Sequence, residues 1–246
     1  RAEVVIASKG GIHRVGNGQA IDGSRDNLLR ECDESLLRLQ TDRIDLYYLH
    51  APDPTLPIEE SASAIAELIA AGKVKTAGAS NVSLQQIQSF HEVCPLTAIQ
   101  PAYNMLQREI ETEIVPWCVR ENVAICVYWP LLKGLLAGRL PRDHVFQEGD
   151  GRKKYPMFQG EEWQRNQDLL DDLRAIADAS GLTIAQLSIA WTIAQPGITS
   201  ALCGAKRPWQ IEETAAAMQV ALSTDVQEGI QRALIRRGVP ASRPAV

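Results

Sequence analysis

The sequence predicts an α/β protein with an all-parallel sheet, either closed into a barrel or left open and doubly wound. Three observations carry this reading. Six short runs rich in Val, Ile and Tyr recur at residues 4–8, 44–49, 74–79, 97–101, 123–128 and 198–203, each with the length and composition of a buried strand. Between them lie stretches of helical period, and strands that alternate with helices imply βαβ units and parallel pairing. Polar side chains close most of the runs: Lys9, His50, Ser80 with Asn81, Gln100 and Tyr128 each stand at the carboxyl end of a different strand. Barrel enzymes keep their chemistry at that rim.

The helices show their boundaries locally. Ser24 precedes Leu28, Leu29, Cys32, Leu36 and Leu39 at three- and four-residue spacing, an amphipathic stripe behind an N-cap. Ser83 with Gln86 and Thr183 with Gln186 match the capping box, and Gly72 and Gly181 stand where helices stop. Residues 208–218 and 224–234 read as two closing helices, and 236–246, with Pro240 and Pro244, as a frayed tail. The longest interval between strands holds a Gly- and charge-rich loop at 149–160, of the kind that forms a lid or stays disordered, and then two helices. A dinucleotide-binding open sheet is the weaker alternative. Ser8-Lys9-Gly10-Gly11 is not followed by GxGxxG, and Gly16-Asn17-Gly18 reads as a polar loop and not a strand-to-helix turn.

Composition sets the outer limits. The 246 residues, 45% of them hydrophobic, suit one domain that buries roughly 70% of its unfolded surface. The formal net charge of −5 argues against nucleic acid and anionic membrane as partners, since both demand a basic face. Cys32, Cys94, Cys118, Cys126 and Cys203 are odd in number, widely spaced and without a CxxC pair, so they read as reduced thiols of a cytoplasmic protein with no metal site. No apolar run reaches the roughly 18 residues of a membrane span. Arg1 in place of methionine, with an apolar run under way by Val4, implies that the natural chain begins earlier.

Each rim residue has a plain reading and a chemical one. Lys9 is either a solvated strand-end lysine or a cation in a low-dielectric cleft, able to lower a neighbouring acid's pKa or to act as a Schiff-base nucleophile. His50 shares a strand face with Ile44, Leu46 and Tyr48. It is either a hydrogen-bonded structural histidine or a group that polarises a substrate oxygen. Ser80, Asn81 and Gln100 either shape turns or offer donors and acceptors to a planar carboxamide, and Tyr128 is either core or a stacking face.

The ordered set SKGG, DLYYLHAPD, GKVKTAGASN, IQPAYNMLQRE, VYWPLLKGLLAGR and GAKRPWQIEET resembles the aldo-keto reductase superfamily from Val4 to about Met218. The resemblance implies a (β/α)8 TIM barrel that binds NADP(H) and passes hydride to an aldehyde or ketone, a small-molecule carbonyl substrate. Lys9 and His50 match the family's catalytic lysine and histidine. Ser80, Asn81 and Gln100 match the residues on the nicotinamide carboxamide, Tyr128 the stacking ring, and Leu131, Leu132 and Gly134 to Leu136 the pyrophosphate wrap. Gly204, Ala205, Lys206, Gln210, Glu213 and Thr214 match the adenosine end, with Lys206, and Arg207 beside it, suited to a 2′-phosphate. Trp129 stands where the family usually has serine, Lys133 interrupts a small-residue turn, and Thr214 replaces a common asparagine. The family's aspartate and tyrosine, in a motif ending Tyr-Gly, have no match here, and Tyr48 should sit too deep to substitute.

The expectation is therefore a barrel lacking its first two βα units, impaired in turnover, with open edges at the first and last strands that invite self-association. Two other functions stay open. One is a cofactor-binding but non-catalytic relative resembling the potassium-channel β subunits. The other is a Schiff-base lyase acting through Lys9. Substrate choice rests on the long loop at 143–160, whose shape the sequence does not give.

Overall fold

The computed structural model describes residues 1, 3–16 and 18–241, so the last five residues of the expected tail, 242–246, lie outside the described residues. They fall into two compact units: residues 1–101 with 111–126, and residues 102–110 with the chain from 127 onward.

The first unit is a parallel sheet backed by helices. Strands β1 (Ala7–Gly10), β4 (Ile44–Leu49), β5 (Val74–Ser80), β6 (Leu96–Gln100) and β7 (Ala124–Val127) follow one another in that spatial order, every pairing parallel. Helices α1 (Arg25–Leu39), α2 (Ile58–Ala70), α3 (Leu84–Val93) and α4 (Ile114–Arg120) connect them. Leu28, Cys32, Ile65, Leu68, Ile87, Phe90 and Cys118 from the helices, with Tyr47, Leu49, Ala79, Ile99 and Ile125 from the strands, are buried. Such burial, at roughly 25 cal/mol per Å² of apolar surface, is the main force holding the layers together.

The local signals behave as written. Ser83 Oγ accepts from Gln86 N at 3.3 Å and Gln86 Oε1 accepts from Ser83 N at 2.9 Å, closing the box at the start of α3. Helix α2 ends with Gly72 at φ 74°, where Lys73 N donates back to Leu68 O at 3.1 Å, a six-to-one closure that only a left-handed residue permits cheaply.

Two segments of the first unit depart from the expected pattern. The first strand begins three residues late, and Val4 and Val5 are 60% and 77% exposed, because β1 has a strand neighbour on one side only and its start is not covered. The polar stretch after it is an antiparallel hairpin, β2 (Ile12–Val15) with β3 (Gly18–Ile21), Ile12 facing Ile21 and Val15 facing Gly18, with Gly16 at φ 57° in the turn. Four-residue strands whose apolar residues, Ile12 with Val15 and Ala20 with Ile21, do not alternate with polar ones do not read as strands.

The second unit is mainly helical: α5 (Gly160–Ala179), α6 (Ile184–Ile193), α7 (Pro208–Ala216) and α8 (Thr224–Arg237), with the two-residue strand β8 (Ser200–Ala201). Leu202 N donates to Val127 O at 2.8 Å beside β8. Thr183 and Gln186 form the expected box at α6, which is buried on nearly every side, as its apolar sequence requires. Helix α8 runs three residues beyond Leu234 because Arg237 is fastened inside: its guanidinium meets Glu162 and donates to Asn166 Oδ1 at 2.8 and 3.0 Å on α5. The long loop is packed on its own aromatic group, Phe146 lying 5.3 Å from Phe158 and 6.0 Å from Trp163, whose Nε1 donates to Arg142 O at 2.8 Å. All five cysteines are free thiols. Among the described residues no helix is long and apolar enough to cross a membrane.

Consecutive tyrosines on β4 take opposite faces, and a glycine on each neighbouring strand makes room. A Cβ at Gly10 would lie 2.2 Å from Tyr47 Oη, and one at Gly78 2.4 Å from Tyr48 Cδ1. The Gly78 clash is with a buried ring and not with a flexible chain end, so Gly78→Ala should destabilise by about 1–3 kcal/mol through overpacking. Urea unfolding followed by circular dichroism measures this, and an unchanged midpoint would show that the ring has slack the packing does not suggest.

Candidate functional site

In the first unit the carboxyl ends of four strands converge on Lys9. Lys9 is the register partner of Tyr48, and its ammonium lies 5.9 Å from the Tyr48 ring centroid. It donates to the Gln100 carboxamide oxygen from β6. Gln100 and the Cys126 thiol of β7 both adjoin the Tyr48 hydroxyl, so lysine, carboxamide, phenol and thiol form one cluster. Among the described residues no carboxylate lies within ion-pair distance of Lys9; its acceptor is neutral. Burial lowers the Lys9 pKa and pushes the Tyr48 phenol well above its usual value. Tyr48 is therefore no acid for neutral pH.

His50 sits one residue past β4, its backbone N donating to Gly10 O at 2.8 Å. Burial, and then the Lys9 charge, pull its imidazole down to about 4. At neutral pH it is an uncharged ring that still carries one N–H donor.

Ser80 and Asn81 lie at this same end, but their donors are committed to the backbone. Ser80 Oγ donates to Gln100 O at 2.7 Å, and Asn81 Nδ2 donates to His50 O at 2.9 Å and Ser80 Oγ at 3.2 Å. Asn81 holds φ at 59°, a left-handed conformation that asparagine tolerates better than most residues. Together these bonds tie the ends of β4, β5 and β6. Cys126 was not singled out from the sequence, although period two from Tyr128 would have placed it on the same face.

The second unit holds the remaining candidates. Tyr128 is half-buried, edge-on to Trp129 with centroids 5.3 Å apart, and burial followed by Tyr155 pushes its phenol up to about 12. Leu131 O accepts from Gly134 N at 2.8 Å and Leu136 N at 3.2 Å, coiling the turn tightly. A cavity of about 700 Å³ is lined by Lys133, Arg152, Lys154, Tyr155 and Lys206, together with Glu148 and Asp150, so cations outnumber carboxylates there. Of the residues matched to the adenosine end, Lys206 lines this cavity, while Gly204, Gln210, Glu213 and Thr214 do not. Gln210 Oε1 accepts from Lys206 N at 2.7 Å and Arg207 N at 3.0 Å, capping α7. Glu213 pairs with Arg139 at 2.9 Å, and Thr214 Oγ1 donates to Gln210 O at 2.9 Å. Arg152 and Lys154 were not singled out from the sequence, since nothing local separates them from ordinary loop charges. Among the described residues no group of His, Cys, Asp and Glu could hold a metal ion.

A polar cluster at the carboxyl ends of parallel strands, joined by helices, marks an α/β enzyme of the barrel class. The chain belongs to the aldo/keto reductase family, whose match spans residues 1–235. It is 34% identical over 238 residues to the Schizosaccharomyces pombe aldo-keto reductase yakc [NADP(+)], covering 95% of this chain and 70% of that protein. It is 33% identical over 236 residues to the Escherichia coli NADH-specific methylglyoxal reductase, covering 91% and 72%. The solved glycerol dehydrogenase from Gluconobacter oxydans superposes with a TM-score of 0.91 at 30% identity, over 99% of this chain and 76% of that one. The fold is thus the aldo-keto reductase form of the TIM barrel, and the chain is an oxidoreductase by family.

Because the His50 imidazole is lowered from 6.5 to about 4, the unfolded chain takes up a proton in that interval and the native one does not. Stability therefore falls as pH drops from about 6.5 toward 4, and His50→Gln should flatten that limb. The His50 Cε1 proton should titrate near pH 4 by NMR, rising part of the way toward 6.5 in Lys9→Met, since burial is the larger cause. A wild-type midpoint at 6.5 would contradict the described surroundings of the ring.

Proposed function

We propose that this chain carries the NADP(H)-binding and carbonyl-orienting part of an aldo-keto reductase acting on a small aldehyde or ketone. One observation supports this above the others: a half-buried lysine cation and a neutral imidazole stand at adjacent strand ends. A neutral imidazole donates a hydrogen bond to a carbonyl oxygen without carrying charge into the cleft, and the Lys9 cation favours the negative charge that grows on that oxygen. The family membership and the names of the relatives support a nicotinamide cofactor, which supplies hydride.

The residues fit such a cofactor in chemistry. In the second unit the cavity lined by Lys133 and Lys206 suits phosphate groups, with Leu131 and Gly134 in the turn beside Lys133. In the first unit Gln100, Ser80 and Asn81 would receive a carboxamide by exchanging or sharing hydrogen bonds they make within the rim; Tyr128, in the second unit, has an aromatic face. The relatives' names include both NADP(+) and NADH. Lys206 favours the phosphorylated form here.

The proton source is the weak point of these 246 residues. Tyr48, a phenol beside Lys9, is held too basic by burial, and lack of a general acid costs about 10²–10⁴ in rate. We therefore expect the chain to bind NADPH while reducing methylglyoxal at least about 100-fold more slowly than the Escherichia coli relative assayed alongside with its own cofactor. Isothermal titration calorimetry reads the first part and steady-state turnover the second. No heat with NADPH or NADH would overturn the cofactor assignment, and comparable turnover would mean that another group supplies the proton.

A further inference from the structure

Residues 103–107 are all buried, yet the proposed reaction uses none of them. They form a narrow loop closed on itself, Asn104 N donating to Gln107 O at 3.2 Å and Gln107 N to Asn104 O at 3.1 Å. Tyr103 anchors the loop, its ring stacked on Trp191 of α6 with centroids 5.9 Å apart and planes 16° from parallel. The Asn104 side chain Oδ1 accepts from Leu106 N at 2.9 Å, while Nδ2 donates to Gln107 Oε1 at 2.9 Å and to Trp129 O at 3.1 Å. The first two bonds shape the loop itself. The third leaves it and reaches the turn that follows Tyr128.

That third bond falls where the backbone is strained. Trp129 has φ 58°, in the left-handed region that a Cβ disfavours, and such strain persists only where the surroundings over-determine it. Trp129 O also accepts from Leu132 N at 2.8 Å, which closes the turn, so Asn104 is not needed for closure. What Asn104 adds is a tie between the turn and the buried loop. Tyr103 N donates to Tyr128 O at 3.2 Å, so the successive carbonyls of 128 and 129 are both held by this loop. The Trp129 ring stands edge-on to Tyr128, 5.3 Å away at 85°. It also carries the Lys133 ammonium 3.8 Å from its centroid, and that ammonium lies 4.4 Å from the Tyr155 ring. These contacts hold the ring end of Trp129, and Asn104 holds the backbone end. A shift of the Trp129 peptide would be passed to the Tyr128 face.

We propose that Asn104 is a positioning residue: through the Trp129 carbonyl it sets the Tyr128 ring at the angle that receives a nicotinamide ring. This rests on the cofactor reading given above. A well-aligned aromatic contact is worth about two- to tenfold in affinity. Asn104→Asp keeps the shape and the acceptor for Leu106 N but removes the donor to Trp129 O, and Asn104→Ala removes all three bonds. Calorimetric titration of the full chain with NADPH and with 2′-phospho-ADP-ribose, which lacks only the nicotinamide, separates the ring from the rest of the cofactor. In both variants NADPH should weaken by about two- to tenfold and 2′-phospho-ADP-ribose should bind as to wild type. Tyr128→Ala should show the same selective loss, and adding Asn104→Asp to it should cost nothing further, because both changes act on one contact. Far-ultraviolet circular dichroism matching wild type shows that the variants fold.

Equal weakening of both ligands would make Asn104 a general support of the second unit and overturn the proposal. Unchanged NADPH binding in the folded variants, or losses that add in the double variant, would overturn it as well. Failure of both Asn104 variants to fold would assign the residue to the frame alone. If the wild-type chain binds neither ligand, the cofactor reading itself fails and this one falls with it. Intact NADPH binding without the selective loss removes this inference alone.

Discussion

A lysine cation placed at a half-buried strand end, with no carboxylate in ion-pair reach among the described residues, is the constraint to which the first unit is fitted. Burial disfavours the charge, so the surroundings supply what partial compensation they can: the Gln100 oxygen and the Tyr48 ring at 5.9 Å. The same cation helps keep His50 neutral, and the tyrosine needs a glycine on β5 to fit beside it. Lysine, glutamine, tyrosine, histidine and glycine are thus one arrangement, and none of them can be read properly alone.

The bonds around Ser80 and Asn81 follow from the same geometry. Parallel strands leave backbone carbonyls at their ends that no ladder satisfies, and buried polar groups need partners. Asn81 closes on His50 O and Ser80 on Gln100 O, so the rim is rigid before any ligand arrives. Residues that look available for binding in a sequence are in part the joints of the frame.

What the sequence made legible is what depends on neighbours along the chain. The strands at β4, β5 and β6, the capping boxes of α3 and α6, and the stops at Gly72 and Gly181 all rest on interactions within about six residues. The strand ends placed Lys9, His50 and Gln100 at one rim by counting alone. The hairpin went unseen because its four-residue arms, Ile-His-Arg-Val and Gly-Gln-Ala-Ile, do not alternate apolar with polar residues, and the start of β1 because exposure at a sheet edge cannot be read from Val4 and Val5. Leu39 belongs to the apolar stripe of α1 yet is 44% exposed, since the helix outruns the surface it covers. The company of Lys133 was hidden for a different reason: Tyr155 lies 22 residues away in the sequence, and no local rule joins a turn to the far end of a loop.

The hairpin of β2 and β3 follows Lys9 after two residues, and its four residue pairs face one another in a sheet of their own. Because its ladder is self-contained, its length and side chains can be exchanged without breaking any strand pairing that holds the lysine in place. Diversity in what approaches the rim is thereby separated from the chemistry at the rim, and a lineage can explore new ligands in this segment while the lysine stays where it is.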